Sequence, residues 1–175
     1  MRKRKKEYFI VDGYNVINSW PDLIVLRDNL EFAREKLIDI LLEYGRYEGY
    51  DVTVVFDALF TCSRQSYENL QDDFHVVFTD EGETADSYIE KIAYLLVREG
   101  KEVYVVTSDN DEQTVILGAG AYRIPSLELW RNIKKAKKKM HDKYIHTPVL
   151  VARREIGSRI TQDIAKKMDE LRKRR

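Results

Sequence analysis

The chain has 175 residues, 43% hydrophobic and 34% charged, which fits one globular domain with or without an appendage and excludes a disordered chain. Its single cysteine, Cys62, excludes an intramolecular disulfide, and Cys62 with His75, His141 and His146 offers no zinc-ligand spacing. No apolar run approaches the roughly 20 residues of a spanning helix, and Asp12 and Asn15 break the stretch after the basic start as a signal sequence. A cytoplasmic protein without membrane association is expected.

The formal net charge of zero hides an asymmetry. Residues 2–6 carry five positive charges; residues 7–130 hold 9 Lys and Arg against 25 Asp and Glu, a balance of −16. Residues 131–175 hold 16 against 5, a balance of +11. Such a pattern reads either as solvated helix faces with a basic tail, or as a phosphate-binding rim beside a site too acidic to hold phosphate without metal.

Along the chain, Tyr8-Phe9-Ile10-Val11 reads as a strand that stops at Asp12-Gly13. A loop through Trp20-Pro21 leads to a helix over about 29–46, with Leu30, Ala33, Leu37, Ile38 and Leu41 on one face. Val52–Phe56 is a second strand ending at Asp57, and a polar stretch over 61–73 precedes a third around His75–Phe78. Gly82-Glu83-Thr84 opens a helix with Ala85, Tyr88, Ile89, Ile92 and Leu96 on one face, closed by Gly100. Val103–Val106 is a fourth strand running into Thr107-Ser108-Asp109. A short helix with Val115 and Ile116 follows, then a fifth strand at Tyr122–Ile124 and a basic helical segment from Ser126. Beyond the Pro148 break, a charged terminal helix is expected from about 158. Near-continuous apolar strands separated mostly by helices imply an α/β fold with a parallel sheet covered on both faces.

Three strands end in an acid: Asp12, Asp57 and Asp109. Asp86 opens a helix. Ligands of open α/β sheets bind beyond the carboxyl ends of the strands where strand order reverses. If the first and fourth strands are neighbours, Asp12 and Asp109 meet there, and Asp86 can approach. Taken singly, each has a structural explanation: a turn at Asp12-Gly13, a favourable helix dipole at Asp86, a capping box from Ser108 to Asp111. Taken together they are a carboxylate cluster, which repels itself unless a cation holds it. Oxygen donors without His or Cys favour Mg²⁺ or Mn²⁺ and suit phosphodiester hydrolysis. The absence of GxSxG and GxxxxGK[ST] patterns disfavours serine-hydrolase and P-loop chemistry.

The segments IVDGYNVI (10–17), VVFDA (54–58), VFTDEGETADSYIEK (77–91) and TSDNDEQ (107–113) resemble the YacP-type NYN-domain proteins, a branch of the PIN-like nucleases. The resemblance implies a three-layer α/β/α sandwich with a central parallel sheet, a nuclease domain over 7–140 and a basic, partly helical extension over 141–175. It also implies endonucleolytic cleavage of RNA, with mRNA on the ribosome as substrate and Mg²⁺ or Mn²⁺ as cofactor. Carried onto this chain, Asp12, Asp86 and Asp109 are the metal-binding acids, Asn15 and Glu83 further catalytic residues, and Thr107 and Ser108 shape the loop. Asp111 falls at a variable position of the family's pattern and is secondary. So is Asp57, taken as more peripheral and read equally as support for the core edge or for the cluster. On charge alone, Lys134, Lys135, Lys137, Lys138 and Lys139 are the RNA-binding residues. A receiver-like phosphoacceptor domain is disfavoured because Gly13 follows Asp12. A non-catalytic RNA- or ribosome-binding module is the main alternative.

Overall fold

The computed structural model describes residues 6–58, 66–108, 118 and 120–146. The chain divides into two compact units, Met1–Ala136 and Lys137–Arg175. The first contains a six-stranded sheet of order β3-β4-β2-β1-β5-β6, with β1 Glu7–Asp12, β2 Asp51–Phe56, β3 Ser66–Gln71, β4 Phe74–Phe78, β5 Glu102–Val106 and β6 Tyr122–Ile124. Every pairing is parallel except β3–β4. Helices are α1 Gly13–Ser19, α2 Pro21–Ile24, α3 Leu30–Glu48, α4 Ala85–Arg98 and α5 Ser126–His146. Of the second unit, only the helical residues 137–146 are described.

Alternation along the strands sorts the core into two layers. Ile10, Val55, Val103 and Val105 form one cluster with Ala85, Ile89 and Ala93 of α4. The other face carries Val52 and Phe56, and α3 and α1 close on it. A Cβ built on Gly45 of α3 would lie 2.8 Å from Val52, and one on Gly13 of α1 2.2 Å from the Phe56 ring. Helices therefore cover both faces, the expected three-layer arrangement. On α3 the buried stripe is Ala33, Leu37, Leu41, Tyr44 and Gly45, while Leu30 and Ile38 lie at its half-buried margin.

The chain order explains where a site can form. From β1 the chain moves to β2 and then β4 on one side, and later returns to place β5 and β6 on the other. Strand order thus reverses between β1 and β5, which pair from Glu7–Glu102 to Val11–Val106. Asp12 and Thr107 each follow that last pair by one residue.

Two elements differ from the sequence expectation. Residues 66–71, in the stretch expected to be polar connection, form β3, an edge strand antiparallel to β4 with a register shift between Asn69 and Gln71. The residues after Asp12 form helix α1, not a turn or loop: Asp12 is its N-cap, and the Ser19 hydroxyl donates to the Asn15 carbonyl at 2.6 Å. Pro21 then starts the single turn α2. The expected helix around Val115 and Ile116 and the terminal helix from about 158 lie outside the described residues. Among the described residues, no helix is long and apolar enough to cross a membrane.

Candidate active site

Asp12 ends β1 at the point of strand reversal and is only 9% exposed. Its carboxylate accepts the Asn15 backbone N–H at 3.0 Å and so caps α1. Gly13 makes this corner possible, because a side chain there would overlap the Phe56 ring. Burial pushes the Asp12 carboxyl up to about 6; backbone N–H groups of Asn15 and Tyr14 pull it down, and the charges of Asp86 and Asp57 push it further up. At the carboxyl edge of the sheet Asp12 thus feels the charge of two other acids.

Each of those acids has its own support. Asp86 lies exposed in the first turn of α4, whose N-cap Thr84 accepts the Ser87 N–H at 3.2 Å. Asp57, directly after β2, accepts the Ala85 N–H at 3.4 Å and so ties the start of α4 to the strand beside β1. It stands one strand from Asp12, not at the periphery. Glu83 is half-buried in the turn before α4, with its backbone N–H on the Asp80 carbonyl at 3.0 Å. The preceding Gly82 takes a left-handed conformation, φ 92°, which admits that turn.

Asn15 projects its amide across the strand-reversal crevice. Its Oδ1 accepts the Ser108 backbone N–H at 2.9 Å and the Ser126 hydroxyl at 2.8 Å. Thr107 is fully buried, its N–H on the Ile124 carbonyl at 3.3 Å and its own carbonyl accepting Arg123 Nε at 3.3 Å. Asp109 and Asp111 lie outside the described residues. Ser126 and Trp20 were not expected in this neighbourhood. Ser126 follows Pro125 at a helix start, a local signal of capping, but nothing local to either residue announces a partner more than 100 positions away.

The acids that act on Asp12 offer carboxylate oxygens, the donor type a hard divalent cation takes. The charges of Asp86 and Asp57, which add to the effect of burial on Asp12, are ones such a cation would offset. Among the described residues no group of three His, Cys, Asp or Glu is gathered closely enough to ligate an ion. Of the three acids expected to bind metal, Asp12 and Asp86 are among the described residues.

The lysines differ from one another. Lys134 pairs with Asp22 at 2.6 Å and lies over the Trp130 ring at 5.2 Å, and the Trp130 indole N–H also donates to Asp22 at 3.2 Å. Lys135 is exposed, on the side of α5 away from buried Leu129, Ile133 and Ala136. Lys137, Lys138 and Lys139 are exposed in the second unit.

A mostly parallel α/β sheet with acids gathered at its strand reversal is the PIN-like arrangement. Residues 9–173 match the YacP-like NYN domain family, and the chain belongs to that family. It is similar to YacP of Bacillus subtilis strain 168, 39% identical over 135 residues that cover 77% of this chain and 79% of that protein. Two crystal structures from Bacillus subtilis are also similar. Rae1 (YacP) superposes with a TM-score of 0.71 at 34% identity, covering 95% of this chain and 94% of the other. A point mutant of Rae1 gives a TM-score of 0.68 at 35% identity, covering 91% and 89%.

Proposed function

We propose that the protein is a metal-dependent endoribonuclease that hydrolyses RNA phosphodiester bonds, with mRNA on the ribosome as its substrate. The observation that carries this reading is the state of Asp12: a buried carboxyl at the strand reversal, whose charged neighbours Asp86 and Asp57 are acids. An acid kept there solely for stability would gain from a lysine or arginine beside it; one kept for a cation gains from more acids.

Asp12 and Asp86 would hold Mg²⁺ or Mn²⁺, with Asp109 as the third acid. When bound, such an ion supplies an activated water and stabilises the departing oxygen of a cleaved phosphodiester. The protein's own contribution is orientation and exclusion of bulk water. Two backbone N–H groups hold the Asp12 carboxylate in one direction, and Asp57 fixes the start of the helix carrying Asp86. Membership of the YacP-like NYN domain family, consistent with PIN-like nucleases, supports the nuclease reading.

The basic helix α5 is the proposed RNA contact, since it offers Lys135, Lys137, Lys138 and Lys139 to a polyanion that the acidic body would repel. Lys134 contributes less, being paired with Asp22.

The test is cleavage of ribosome-bound and free RNA with and without Mn²⁺, comparing the parent with Asp12→Asn and Asp86→Asn. Metal-dependent cleavage lost in both variants, with RNA binding retained, is the expected result. Binding that is salt-dependent, indifferent to metal and never followed by cleavage would replace this reading with a non-catalytic RNA- or ribosome-binding module.

A further inference from the structure

Ser126 is fully buried, and each of its polar atoms is used toward the crevice between β1 and β5. Its hydroxyl donates to Asn15 Oδ1 at 2.8 Å, its backbone N–H to Ser108 Oγ at 3.3 Å, and its carbonyl accepts the buried Trp20 indole N–H at 2.7 Å. Asn15 Oδ1 accepts the Ser108 backbone N–H as well, at 2.9 Å, so both lone pairs of that oxygen are taken. One amide oxygen and one serine thereby join three separate pieces of chain: the α1 corner three residues after Asp12, Ser108 two residues past β5, and the first residue of α5.

This arrangement is more than packing. Hydrophobic contacts hold the strands in register but leave the loops beyond them free to turn. The pairing of β5 with β1 ends at Val106, and the chain's direction beyond it is fixed by hydrogen bonds to Asn15 and Ser126. The Asn15 oxygen is also unsuited to ligating an ion, because both of its acceptor directions already meet protons. Groups that orient metal-binding side chains through hydrogen bonds typically change metal affinity or activity by about 10–100-fold when removed.

Resting on the proposed reading of the acids as a metal site, we infer that Ser126 is a positioning residue, acting with Asn15 as its acceptor: together they hold Ser108, just past β5, against the α1 corner, where the Asn15 backbone N–H orients the Asp12 carboxylate. Asn15 is then a positioning residue too, not a ligand. The geometry requires an acceptor at position 15 and a hydroxyl donor at position 126.

The experiment is calorimetric titration of Mn²⁺ into the full-length parent, Ser126→Ala and Asn15→Ala without RNA, with kcat and KM for RNA cleavage measured alongside and thermal melting as the fold control. The expected result is a Mn²⁺ affinity about 10-fold weaker in both variants and a lower kcat, with KM for RNA within about twofold of the parent. Asn15→Asp, which keeps the acceptor, should restore most of the Mn²⁺ affinity. A parent that binds Mn²⁺ while Ser126→Ala and Asn15→Ala bind it equally well overturns the inference, whatever happens to melting temperature. A parent that binds Mn²⁺ but cleaves nothing overturns the nuclease reading alone, and the affinities still decide the role of Ser126. A parent that binds no Mn²⁺ overturns both.

Discussion

The sheet buries an aspartate near each of its two ends, and their surroundings are opposite in sign. At the amino end of β2, Asp51 is 8% exposed and lies 3.0 Å from the Lys6 ammonium and 3.5 Å from His75 Nε2. Lys6 also pairs with Asp73 and lies over the Tyr8 ring at 5.9 Å. At the carboxyl end of β1, Asp12 is 9% exposed, but its charged neighbours are Asp86 and Asp57. Burial is nearly equal, so burial cannot distinguish them; the sign of the neighbours does. An acid matched by a lysine fastens the N-terminal segment to the sheet. An acid crowded by acids stands in an unfavourable field, and such sites cluster where a ligand completes them.

The comparison breaks most sharply at Asp12. Asp12→Asn should lower metal-dependent RNA cleavage on the order of 10³-fold, since several kcal/mol of transition-state stabilisation is at stake. Asp51→Asn should leave the cleavage rate within about twofold, because hydrogen-bonding capacity at the far end does not reach the site. Equal losses from the two variants, measured as initial rates on one RNA, would erase the distinction between the two ends.

Next in size is Gly13→Ala, which should destabilise the fold by about 2–3 kcal/mol in urea titration. The added methyl meets the aromatic ring of Phe56, itself packed at 5.2 Å against Tyr14 and 5.4 Å against Phe78. A Gly13→Ala protein as stable as the parent would mean that the corner holding Asp12 is slack.

The pH dependence of stability separates the two ends further. With metal chelated, the folded Asp12 carboxyl titrates near 6, above its ordinary value. Between about pH 4 and pH 6 the unfolded chain has released that proton and the folded chain still holds it. The Asp12 contribution therefore lowers stability as pH rises through this window, on the order of 2–3 kcal/mol, and is constant above it. In parallel urea titrations, the difference between Asp12→Asn and the parent should grow across the window in favour of Asn. A difference independent of pH would show that neither burial nor its neighbours raise the Asp12 carboxyl.

The smallest effects belong to the amino end and to the helix. Asp51→Asn should cost about 1–2 kcal/mol by removing the carboxylate that Lys6 shares with Asp73 and that lies beside His75. Lys135→Glu should weaken RNA affinity more than Lys134→Glu, and only the former should lower the salt slope by about 1. The reverse order would place the RNA elsewhere than the exposed face of α5.

Much of this was legible before the fold was known. Apolar runs announced β1, β2, β4, β5 and β6, and helical periodicity with Thr84 and Gly100 marked α4. The acids at strand ends also stood out, because an Asp closing an apolar run is visible locally. Two features were not. β3 is an edge strand whose Ser66–Gln71 composition carries no apolar alternation, so its partner β4 defines it. Helix α1 follows a strand with only Gly13 between Asp12 and Tyr14, and its Gly, Asn and Ser read as turn residues until Asp12 is seen capping it. The role of Ser126 was beyond local reading altogether, since its partners Asn15 and Trp20 are more than 100 residues away. Similarly, Asn15 could be named from motif alone, but only the folded chain brings Ser108 and Ser126 to its oxygen.

The most direct test of the contrast between the two buried aspartates is the melting temperature at neutral pH with and without Mn²⁺. The parent and Asp51→Asn should both be stabilised by the ion in proportion to its occupancy, while Asp12→Asn should melt at the same temperature in both conditions. Stabilisation of Asp12→Asn equal to that of the parent would contradict the account.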